Sequence, residues 1–154
     1  MATSLSCSID SNQHDLIDGF PIPEGAQEVK KLNLGTKNTQ QLLFRVDEPY
    51  PSTSVIDMYR EYLNKHGWKQ CVAQAQGWTS HEDISSDQHL LVHKLDDYWV
   101  DQADSKLLIL SAMYYSSDLS KKKPDNEEQR AIVWVQRVSD LNDELSRFQV
   151  TCKE

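Results

Sequence analysis

A period of two over Gln41 to Asp47 puts Leu42, Phe44 and Val46 on one side and Gln41, Leu43 and Arg45 on the other. That period of two belongs to a half-buried strand. Upstream, the sparser Val29, Leu32 and Leu34 over 28–34 suit a strand near an edge, and Gly35-Thr36-Lys37-Asn38 reads as the reversal that joins the two into a hairpin. A switch to helical spacing follows over Ser54 to His66, where Val55, Tyr59, Tyr62 and Leu63 fall at i, i+4, i+7 and i+8 with Ile56 and Met58 flanking them. Ser54 and Asp57 resemble a capping box at its start, with Asp57 also placing negative charge in the first turn. Gly67 stands where a left-handed residue ends a helix, and Trp68 where a Schellman ending folds back on Leu63.

Downstream, Trp68 to Val72 reads as a short strand, and the first half of 81–104 fits neither period decisively. Leu91, Leu95, Tyr98 and Trp99 match helical spacing, but Tyr98-Trp99-Val100 favours a strand in the second half. Lys106 to Tyr115 reads as a central strand, apolar on both faces from Leu107 to Leu110, with Ala131 to Val138 as its partner. Leu141, Leu145 and Phe148 mark a short C-terminal helix, with Asp140, Asp143 and Glu144 early and Arg147 late, as the helix dipole prefers. The expected fold is a single α+β domain: a mainly antiparallel sheet of about five to six strands with one main helix packed on it and a short helix at the end. Residues 1–19, mixing Ser, Asp, Asn, Gln and His without periodicity, are expected to be a flexible leader to a domain spanning 20–154.

Composition narrows the function classes. Among 154 residues, 24 acidic against 16 basic side chains give a net charge of −8, which repels polyanions and makes nucleic acid an unsuitable partner. No apolar run approaches the roughly 20 residues that cross a bilayer, so no transmembrane segment is expected. Lys121 to Lys123 is the one basic run, and it reads as a solvated loop. The three cysteines, at 7, 71 and 152, form no metal spacing; a Cys7–Cys152 bridge between the ends fits them, with Cys71 a buried structural thiol.

Chemistry-bearing motifs are sparse. The five glycines are not clustered, so a phosphate-cradling loop is missing, as are a Gly-x-Ser-x-Gly elbow and a Cys-x-x-Cys. His89 and His93, four apart with His81, Glu82 and Asp83 near in sequence, would share one face of a helix and raise a small metal-dependent hydrolase as the remotest reading; the expectation is no metal, no cofactor and no catalysis. Of the four tryptophans, Trp68 and Trp134 sit in apolar context and are expected to be buried, whereas Trp78 and Trp99 are the candidates for exposure.

The main anomaly is charge. Seven acids, Glu82, Asp83, Asp87, Asp96, Asp97, Asp101 and Asp104, against Lys94 alone place −6 of the net −8 within 81–104. That stretch is the candidate partner-binding face, with Tyr98 and Trp99 as apolar anchors inside an acidic rim. The favoured function is a non-catalytic protein-binding domain, of the immunity or inhibitor kind, that docks a basic protein.

The string Ile22-Pro23-Glu24-Gly25-Ala26, then Met58-Tyr59-Arg60-Glu61-Tyr62-Leu63 and Gly67-Trp68, resembles a pattern of small exported or lipid-anchored bacterial α+β domains. The resemblance covers about the first half of the fold. It implies a cell-envelope or periplasmic location and supplies the alternative reading, a lipoprotein-like domain with a structural or accessory role. Met1 to Asp10 has no charged start followed by an apolar stretch, so no intact export signal is expected, although Ser4-Leu5-Ser6-Cys7 is similar to the end of a lipoprotein signal with its leucine one place too close to the cysteine.

Overall fold

The computed structural model describes residues 16–34, 38–73, 77–83, 90–116 and 128–152. Eight strands form one sheet: β1 (Gln27–Asn33), β2 (Thr39–Asp47), β3 (Lys69–Ala73), β4 (Thr79–Asp83), β5 (Leu90–Asp101), β6 (Lys106–Ser116), β7 (Glu128–Arg137) and β8 (Val150–Cys152). Helix α1 (Ser54–Lys65) lies between β2 and β3, and α2 (Leu141–Arg147) between β7 and β8. The class is α+β, as the patterning implies, with more strands than the five to six expected because β4 and β8 are too short to carry a readable period.

Among the described residues every strand pair is antiparallel, in the order β1-β2-β7-β6-β5-β3-β8, with β4 also on β5. The long strands sit in the middle because they are the ones apolar enough to be covered. Phe44, Ala131, Ala112 and Leu95 form one row across β2, β7, β6 and β5, all on the side that α1 covers. From α1, Val55, Ile56, Tyr59 and Leu63 are buried there, while Tyr62 is only partly so and meets Phe20 edge-on. On the opposite side α2 covers one end only, where Leu145 and Val150 pack with Cys71, Val100 and Leu107.

The end of α1 matches its expected motif. Gly67 takes φ +82, Gly67 N–H donates to the Asn64 carbonyl, and Trp68 N–H donates to the Leu63 carbonyl at 3.0 Å while its ring buries beside that helix. The start does not. Thr53, not Ser54, is the capping residue, and its hydroxyl donates to the Asp57 carboxylate at 3.0 Å rather than accepting a backbone N–H.

Three further expectations need correction. Packing begins before residue 20: Leu16 and Ile17 are in the core and their N–H groups both donate to the Gln40 side-chain oxygen, so the stretch before 20 is not leader throughout. Cys152 is bridged to Cys71, its direct cross-strand partner in the β3–β8 register, and not to Cys7, which lies outside the described residues. Trp134 is half-buried at the margin of the α2 cluster instead of being a core residue.

Candidate functional site

Alternation along β5 decides where its acids go. Leu95, Asp97 and Trp99 face α1, and Lys94, Asp96 and Tyr98 face away. Asp97 therefore shares a sheet row with Leu110, Val133 and Leu42, all fully buried. A carboxylate in such a row survives only if its oxygens are fully engaged. Arg60 of α1 reaches it in a two-pronged pair, Nε to Oδ2 at 2.8 Å and Nη2 to Oδ1 at 2.9 Å, and Gln70 Nε2 and Trp99 Nε1 donate at 3.3 and 3.2 Å. The hydrogen bond to Asp97 pushes the Arg60 pKa up.

Trp99 is wholly buried, so it cannot serve as the surface anchor that the sequence suggests; its ring is core and its N–H holds Asp97. The other acids are also largely matched from within. Asp96 pairs with Lys94 at 3.3 Å and accepts from Ser111, Asp101 pairs with Lys106, and Asp104 pairs with Lys106 and with Arg137 at 2.8 Å. The Arg137 hydrogen bond holds the Asp104 carboxyl below its usual range. Glu82 and Asp83 lie on β4, and Asp87 lies outside the described residues. The described acids are thus spread over both faces of the sheet, not gathered into one rim.

What the stretch does line is a cleft. Strands β3 and β4 pair with opposite ends of the same edge of β5, through Tyr98 to Val100 and through Leu90 to Lys94, and no described strand pairs with Leu95 to Asp97 on that edge. A cleft of about 280 Å³ opens there. Trp78, Leu95 and Val72 line it with the polar Thr53, Arg60, Gln70 and Asp97, and Asp96 and Tyr98 contribute as well. Few convergent polar groups on apolar walls are what a binding site needs. Trp78 is half-buried, held by Tyr50 and Tyr114 with ring centroids 5.3 and 5.6 Å away. Tyr98 is also half-buried, against Phe148, and burial raises its pKa. Arg60 is the residue that sequence reading missed: it flanks Tyr59 on the helix, but nothing local links it to a carboxylate 37 positions away.

The histidine reading meets a different environment. His93 is on a strand, so the shared helix face it requires does not exist, and His89 lies outside the described residues. The His93 ring is buried with Nδ1 2.8 Å from the Ser80 hydroxyl and Nε2 3.2 Å from the Ser116 hydroxyl, and burial lowers its pKa. Both of these partners are neutral hydroxyls. Among the described residues no three His, Cys, Asp or Glu side chains gather as metal ligands, and no helix is long and apolar enough to cross a membrane. No protein-family model matches the chain, and no characterised protein matches it in sequence.

Proposed function

We propose that the chain is a non-catalytic protein-binding domain that docks a basic protein partner at the cleft between β3 and β4. The observation that carries this reading is the interrupted edge of β5, where Trp78 and Leu95 offer apolar surface beside Arg60, Asp97 and Asp96. Because Asp96 and Asp97 are already paired, local charge supplies orientation, and attraction of a cationic partner falls to the net −8 of the whole chain. Anchoring passes from Trp99 to Trp78, an aromatic with a presented face.

Val72 tests the cleft without disturbing the fold, since it lines the wall and is 39% exposed. Immobilised wild type is expected to retain a protein of basic isoelectric point from its source organism. Val72→Arg should abolish that capture through both bulk and charge, and Val72→Glu should weaken it less. Equal capture by all three proteins would sink the proposal.

A second reading, an envelope domain with an accessory role, is favoured by one observation of its own. The Cys71–Cys152 bridge joins residues 81 apart, and structural bridges of this kind form in oxidising compartments such as a bacterial periplasm. With three cysteines in the chain, protein isolated from its native source under thiol-trapping conditions should show no reactive Cys71 or Cys152 on unfolding without reductant. Labelling of both would place the protein in a reducing compartment.

A further inference from the structure

The face of the sheet that α1 does not cover carries a second depression, of about 270 Å³, over β1, β2, β7 and β6. Leu43, Ile132 and Met113 lie on this face, with Tyr115 at one side. Three cations line it, Lys30, Arg45 and Arg130, against Glu28 in the lining and Glu128 beside it. In a chain of net charge −8 this local excess of positive charge is a reversal of sign.

Arg45 and Arg130 are direct partners in the β2–β7 register, and like charges so placed repel. One carboxylate serves both: Glu128 takes Arg45 Nη1 at 2.9 Å and Arg130 Nη2 at 3.5 Å. Gln27 accepts from Arg45 Nη2, and among the described residues Arg45 Nε is buried with no acceptor, so this guanidinium acts on its surroundings through its charge. Arg130 is held over the Tyr115 ring at 5.5 Å with its side chain 57% exposed, so its guanidinium edge is presented toward solvent.

We propose that this groove binds a small organic carboxylate with a short apolar body. The carboxylate lies between Arg45 and Arg130, relieving their repulsion as a second counterion, and the body packs on Leu43, Ile132 and Met113. Guanidinium geometry favours a planar, two-oxygen acceptor over a point charge. The site lies over β1, β2, β7 and β6, away from the cleft between β3 and β4, shares no lining residue with it and stands or falls independently of it.

Octanoate is a suitable probe, octanamide its uncharged match, and amide chemical shifts of the whole chain the measurement. Octanoate should give saturable shifts grouped on β1, β2, β6 and β7 around Lys30, Arg45, Met113 and Ile132. Arg130→Gln, at an exposed position that leaves the fold intact, should weaken binding about tenfold, the loss of one charge-assisted hydrogen-bonded pair. Octanamide should bind at least as weakly to the wild type. Shifts that do not saturate, that centre on Trp78 or elsewhere, or an affinity unchanged by Arg130→Gln or by replacing octanoate with octanamide, would each overturn the proposal.

Discussion

Asp97 is held by Arg60, Gln70 and Trp99 within a sheet row that continues through Leu110, Val133 and Leu42, so its removal takes the acceptor from four N–H donors at once. Asp97→Ala should cost about 2 to 3 kcal/mol, below the figure for a wholly buried pair because the Arg60 side chain keeps 39% exposure. Chemical denaturation would show it; a loss under 1 kcal/mol would mean that the carboxylate contributes no more than an exposed ion pair. His93 makes a separate prediction from pH. Burial lowers its folded pKa, so its contribution to stability is complete above the unfolded value of about 6.5, declines as the pH falls below it, and is exhausted once the folded ring itself takes up a proton. Wild type should therefore lose stability from pH 7 toward 5 more steeply than His93→Gln, and parallel curves would refute the assignment.

At the scale of elements, what was legible is what a short local pattern can encode. The helix Ser54–Lys65 and its Gly67-Trp68 ending follow from spacing plus a left-handed glycine, and the alternation of β2 correctly assigns Leu42, Phe44 and Val46 to the core. Leu63→Ala should cost about 2 to 5 kcal/mol, as at other buried leucines, since the residue is fully enclosed between α1 and the sheet. An unchanged denaturation midpoint would make the helix peripheral. The site was less legible, and β5 shows why. Leu95 and Trp99 share a parity that already points Asp97 inward, but a count of acids along the chain ignores parity and reads seven charges as one surface. Two of their counterions, Arg60 for Asp97 and Arg137 for Asp104, come from α1 and β7, 37 and 33 positions away, and pairings over such separations leave no local trace. The edge strand β1 is the converse case. Its sparse apolar residues do place it at an edge, where Lys30, Lys31 and a bulge beside Glu28, at φ +53, discourage further strand pairing.

Across the whole molecule the covering of the sheet is uneven, and stability should follow it. The centre is enclosed by α1 over β2, β7, β6 and β5, whereas the β8 end rests on three residues of strand, a seven-residue helix and the bond between Cys71 and Cys152. An 81-residue separation makes that bond effective in restricting the unfolded chain, with typical bridges contributing about 2 to 4 kcal/mol. Its local effect is more telling, because among the described strands β8 bonds to β3 alone and would open without disturbing the central strands. Cys152→Ser replaces the partly exposed member and leaves Cys71 in its buried position. In hydrogen exchange the variant should lose protection first at Val150 to Cys152 and through α2, with β5, β6 and β7 still protected to near the global limit. Such a gradient would identify the bridge as a local clasp on the uncovered side. Unchanged exchange over 141–152 would show that Leu145 and Val150 hold that end by packing alone, and simultaneous loss everywhere would show that the end and the centre open as one unit.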